Sequence, residues 1–233
     1  MAAASESPLV AAIRTLGFTN GVLYLLGRVL QKMSRGHCRL IRYYLVAQPV
    51  PAVCVPVCKP SDKDRVSVAR GSDAVTAFFP RPPYVIAGRF ARQHTCLVAT
   101  SKDDFSGFLW YANDFYEEDE VHCRFVIDQP TEGVWDYDVH VEPRFRLGRT
   151  FARLWDAANM SLSEQGIKWS FSRISAFNSQ SLQSHKRMGL QVLAGLTFVC
   201  LGPLQLMVSS CSPFINMSWN GLGRPVIRVR TKH

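Results

Sequence analysis

Residues 134–201 constrain the fold more tightly than any other part of this 233-residue chain, because their apolar period switches back and forth. Over residues 134–141, Trp135, Tyr137, Val139 and Val141 share one face, while Asp136, Asp138 and His140 share the other, the two-residue rhythm of a half-buried strand. Pro143 stops it. Phe151, Leu154, Trp155, Ala158 and Leu162 then fall on one stripe of a helix that ends near Gly166. Residues 167–177 read as a strand, 179–188 as a helix closed by Gly189, and 190–201 as a long strand. Strand, helix, strand, helix, strand predicts an α/β chain of the α+β kind. Its sheet is expected to be mixed and mainly antiparallel, with about seven strands flanked by helices.

Upstream, Val22, Leu25, Leu26, Val29 and Leu30 recur at helical spacing around Arg28 and Lys32, which predicts a helix over about 20–34. Its apolar stripe is expected to pack on the domain's own core rather than on a membrane surface. A strand over 40–47 is followed by a proline-punctuated connection over 48–71, short helices over 73–79 and 83–92, and a hairpin of strands over 95–100 and 105–112. Further strands are expected over 121–127, 204–208 and 225–229. The chain thus divides into a helical extension, 1–36, and a catalytic-sized domain, 37–233. Whether the extension packs in cis, on a second subunit or on a membrane stays open, and with it a homodimer.

With 47% apolar residues the chain can bury a sizeable core, and no fibrous or solenoid period is present. Twenty-seven Lys and Arg against 18 Asp and Glu give +9, a field that favours phosphate-bearing ligands, nucleic acid or an anionic surface. The arginines are dispersed and lack interleaved aromatics, which counts against a tRNA-binding face, and DNA is not an expected partner. Seven cysteines form no paired CxxC, so no metal is expected, and Cys96, Cys123 and Cys200 read as buried thiols of a cytoplasmic protein. No run is long enough to be a transmembrane segment.

Two segments carry candidate chemistry. The loop 143–151 joins a strand's end to a helix start, where free amides and the helix dipole favour an anion, and Arg144, Arg146 and Arg149 add charge. Gly148 is the position where the backbone can approach a ligand or take positive φ, and a diphosphate is the natural guest. A solvated basic turn is the competing reading. GxGxxG and the Walker lysine motif are both absent. The second segment places Asn178, Ser181, His185 and Gly189 at steps of three, four and four, with Leu190 behind them.

In these residues the sequence resembles the GNAT superfamily of N-acyltransferases, whose corresponding segment runs Asn, a small residue at +3, Tyr at +7 and Gly at +11. The order of strand, Pro143, Arg146, helix and this segment carries the resemblance over 134–201, and strand, two helices and hairpin extend it back to 40. It implies a GNAT-like fold and acetyl-CoA, or another acyl-CoA, as co-substrate. Val139 and Val141, flanking His140, would offer backbone to the pantetheine arm. Arg146, Leu147, Gly148, Arg149, Thr150 and Phe151 would cradle the diphosphate, with Asn178 and Ser181 nearby. The family's Arg-Gly-x-Gly-x-Gly is reduced here to one glycine, displaced by one place.

His185 stands where relatives carry a tyrosine that protonates the departing thiolate. Asp136, Asp138, His140 and Glu120 of the acidic run 117–120 are the candidate general bases, and the N–H of Val141 is the candidate oxyanion donor. The implied activity is acyl-CoA-dependent N-acyltransfer, most simply acetyltransfer, to an unidentified amine by direct attack. The alternatives are a catalytically degenerate acyl-CoA or partner-binding module and an aminoacyl transferase using tRNA.

Overall fold

In chain order, the computed structural model, which describes residues 8–231, runs α1 (Pro8–Leu16), α2 (Phe18–Met33), β1 (Cys38–Pro49), β2 (Asp64–Val68), α3 (Pro83–Ala91), β3 (Thr95–Ser101), β4 (Asp104–Ala112), β5 (Phe115–Glu117), β6 (Arg124–Ile127), β7 (Gly133–Val141), α4 (Thr150–Glu164), β8 (Trp169–Ser175), α5 (Ser179–Arg187), β9 (Gln191–Leu201), β10 (Leu204–Ser209), β11 (Ile215–Trp219) and β12 (Val226–Val229). Short 3-10 turns occupy Ala74–Phe78 and Pro143–Phe145. Residues 1–7 of the expected extension lie outside the described residues. The chain divides into two units, Met1–Gln48 with Tyr116–Val126 and Ser172–His233, and Pro49–Phe115 with Ile127–Phe171.

In the first unit the strands run β11-β10-β9-β1-β8, with antiparallel pairing of β11 to β10, β10 to β9 and β9 to β1. Tyr43, Leu196, Phe198 and Met207 are fully buried there. A separate sheet, β12-β6-β5, takes the strands expected over 121–127 and 225–229 out of the main sheet. The second unit runs β8-β7-β4-β3-β2, antiparallel except for β7 with β8. The mixed, mainly antiparallel architecture is thus the expected one. The described residues form twelve strands where nine segments read as strands, because β2, β5 and β11 are short pieces inside segments that read as connections.

The stripe of α4 is buried as its period requires: Leu154, Trp155, Ala158 and Leu162 all lie inside, and the helix packs on β3 and β4. Burial of each large apolar side chain contributes about 1.5–3 kcal/mol. The outer side of α4 holds down the segment that precedes β2. Asp156 accepts the N–H groups of Val57 (3.0 Å) and Cys58 (2.8 Å), Arg153 Nη1 donates to Lys59 O (3.0 Å), and Ser163 Oγ donates to Ala52 O (3.1 Å).

Helix α2 reverses an expectation. It packs in cis within the first unit, but through its small and polar face. A methyl group on Gly21 would lie 2.9 Å from the Ile13 backbone, an approach only glycine allows, and one on Gly27 would press on Leu40 Cβ at 3.3 Å. Asn20 Nδ2 donates to Tyr44 Oη (2.9 Å), and Tyr24 meets Phe177 edge-on. Val22, Leu26 and Val29 of the apolar stripe are exposed instead.

The alternation of β7 breaks in its middle. Phe108 pairs with His140 and Trp110 with Tyr137, so Leu109 faces two residues, Asp138 and Val139. That is a β-bulge, and Asp138 takes φ 48° to make it. Tyr137, Asp138 and His140 consequently lie on the face that carries α3, and Asp136 on the other. The expected shared face of Asp136, Asp138 and His140 is corrected by the extra residue.

Candidate functional site

The loop after β7 is built from two tight turns. The Phe145 N–H donates to Glu142 O (2.8 Å) and the Gly148 N–H to Phe145 O (2.9 Å), and α4 follows with Arg149 in the N-cap position. No side chain caps this helix start, so its first amides lack the acceptor a serine or aspartate would supply. Arg144, Arg146, Leu147, Gly148 and Arg149 are all exposed. Arg144 lies over the Phe145 ring and reaches Asp104 (3.0 Å), while Arg146 Nε donates to Val141 O (3.2 Å) and ties the loop to the strand end. Of the two uses expected of Gly148, close approach to a ligand or positive φ, the second is not taken; a methyl group there would sit 3.2 Å from Phe145 O. Thr150 is buried against Gly107, and Phe151 stands beside Trp155.

Gly107 matters because β4 passes close to β7. A methyl group on it would overlap the His140 carbonyl oxygen and press on Thr150 and Val141. On its other edge β7 pairs with β8 only from Gly133↔Trp169 to Trp135↔Phe171. Val139 and Val141 lie beyond that ladder.

The candidate bases part company. Asp138 receives Arg81 Nε (2.9 Å) and Nη2 together with Arg89 Nη1, so its carboxylate is occupied by two guanidiniums. Asp136 is buried and accepts Ser170 Oγ (2.7 Å). Glu120 lies in the first unit and accepts the Tyr43 hydroxyl, beside Glu118, which pairs with Arg173 (2.7 Å). Asp138 and Asp136 are thus engaged by neighbouring side chains. His140 stands one residue before the end of β7. Its ring lies parallel to Phe105, its Nε2 is 3.0 Å from Glu142 Oε1, and the side chains of both residues keep partial exposure, 17% and 28%. Glu142 escaped the sequence reading, although its step of two from His140 at a strand's end was the available signal.

The 178–190 segment lies in the first unit, as a helix capped at both ends. Asn178 Oδ1 accepts the Ser181 N–H (3.0 Å), an N-cap, and Gly189 takes φ 84° just past the helix end. His185 is buried. Its Nδ1 donates to Gln48 Oε1 (2.9 Å), and burial lowers its pKa from 6.5 to about 4. Desolvation thus favours the neutral imidazole, and its ring holds Gln48.

A pH dependence follows. Between pH 6.5 and about 4 the unfolded chain takes up a proton that folded His185 refuses, so the His185 contribution to stability is complete above 6.5 and lost as pH falls through 4. The loss is on the order of 3 kcal/mol. Urea unfolding across this window should show the decline, and His185→Gln should flatten it.

No family model and no curated relative matches this sequence. Among solved structures, the chain is similar to a tandem GNAT protein from the clavulanic acid biosynthesis pathway, at 10% identity and TM-score 0.50, over 69% of this chain and 53% of that one. A GCN5-related N-acetyltransferase from Kribbella flavida aligns at 10% identity and TM-score 0.42, over 74% and 63%. A conserved protein of unknown function from Staphylococcus epidermidis aligns at 10% identity and TM-score 0.49, over 72% and 64%. The chain thus spans less than two thirds of each of these structures.

Proposed function

For a chain that has the GNAT fold, we propose acyl-CoA-dependent N-acyltransfer, with acetyl-CoA as donor and an amine as acceptor. The observation that carries the proposal is the uncapped start of α4, preceded by three exposed arginines and reached from a strand whose last residues have left the β8 ladder. A diphosphate would lie against the amides from Gly148 to Phe151, with Arg146 and Arg149 supplying charge. Val139 and Val141 would pair with the pantetheine arm. His140, oriented by Glu142, would take the proton as the amine nitrogen attacks the thioester carbonyl. The Val141 N–H would meet the oxyanion, the C–S bond would break, and water would protonate the thiolate.

Acetyl-CoA at a hundred times its dissociation constant should raise stability by about 2.7 kcal/mol. Melting curves with CoA, acetyl-CoA and dephospho-CoA measure it, and no shift with any of them would remove the cofactor assignment. The reduction of the loop to one glycine favours a second reading, an acyl-CoA-binding module without turnover. A melting shift with no CoA release in the presence of any of a panel of amines would select it.

A further inference from the structure

The charge of this chain is segregated. The first unit holds fourteen Lys and Arg against five Asp and Glu, and the second thirteen against thirteen, so the whole +9 belongs to the first. Within it, residues 7–48 contain no acidic residue, and residues 188–223 contain no charged residue at all.

These two stretches build one side of the first unit's sheet. Leu40 on β1, Val199 on β9, Leu206 on β10 and Met217 on β11 are opposed in register, so their side chains form one row on one face. Gly27 seats α2 on the Leu40 end of that row. The other end is uncovered: Leu206, Val208, Ile215, Met217 and Trp219 are exposed. The outward stripe of α2 adds Val22, Leu26 and Val29, flanked by Phe18 at 72% and Met33 at 79% exposure. Exposed Arg28, Lys32 and Arg35 stand at the helix's C-terminal half. An apolar stripe on a helix that packs by its glycines, continued by an apolar sheet edge bearing a tryptophan, exceeds the scattered apolar exposure usual on a protein surface.

We propose that this side of the first unit docks on an anionic lipid surface, with α2 lying in the interface. The charge pattern selects that occupant. A second copy would bring the same cations face to face, whereas anionic headgroups complement them while the stripe enters the acyl boundary. The described helices include none long and apolar enough to cross a membrane, so docking is from one side.

Co-sedimentation of the full chain with phosphatidylcholine vesicles, and with vesicles of equal phosphatidylcholine and phosphatidylglycerol, tests the proposal. Binding is expected with the mixed vesicles and more than about tenfold weaker without phosphatidylglycerol. Arg28→Gln with Lys32→Gln should weaken it about thirtyfold at low ionic strength. Val29→Asn with Met33→Asn should weaken it at least about tenfold without altering the circular dichroism melt, because both side chains point outward. Absence of binding to the mixed vesicles would overturn the proposal. So would parent-like binding by Val29→Asn with Met33→Asn, which would leave only counterion attraction. Sedimentation velocity showing a parent dimer that this variant dissociates would overturn it too, and give the surface to a second copy.

Discussion

Replacing Asp138 by alanine is expected to cost about 3–5 kcal/mol of stability, the penalty for leaving one partner of a buried ion pair alone. Arg89 is the residue left stranded. Its side chain is 6% exposed and lies over the faces of Trp110 and Tyr137, where no water replaces the lost carboxylate. Asp138→Gly separates the two contributions of this residue. It removes the carboxylate equally but suits φ 48°, so it should be about 1 kcal/mol less damaging than alanine. Urea midpoints of the two variants measure both effects, and an alanine variant within about 1 kcal/mol of the parent would show that the guanidiniums find other partners.

The second large effect is kinetic. His140→Gln should lower kcat by about 10²- to 10⁴-fold, the usual contribution of a positioned base, and should leave the melting shift with acetyl-CoA intact. Glu142→Gln should lower it less, because the imidazole stays in place and loses only its orienting partner. Release of CoA from acetyl-CoA, with simple amines or water as acceptor, gives the readout. If His140→Gln turns over like the parent, proton removal belongs to solvent.

Much of this arrangement is legible in the residues. The α4 stripe fixed both the helix and its buried side, and the step from Ser101 to Asp104 announced the β3–β4 hairpin, whose Lys102 and Asp103 take the positive φ of its tight turn. The bulge in β7 was invisible, because an inserted residue has no local signature when Asp138 is drawn into it by Arg81 and Arg89 from distant sequence. The outward stripe of α2 was misread for a related reason. Periodicity says that one face is apolar but not which face meets the core, and two glycines and Asn20 won that place by allowing closer approach. The 178–190 spacing was read correctly as a helix. Its asparagine and glycine cap the helix, and its histidine is buried.

The bulge also sets a rule for the evolution and engineering of this chain. In a regular strand, deleting one residue turns everything after it to the opposite face. In β7 the extra residue is already counted into the position of His140, Val141 and the loop that follows, so trimming Asp138 or Val139 to restore the alternation would turn His140 and that loop away together. Homologues that keep this arrangement should therefore keep an unvarying count between Trp135 and Arg146.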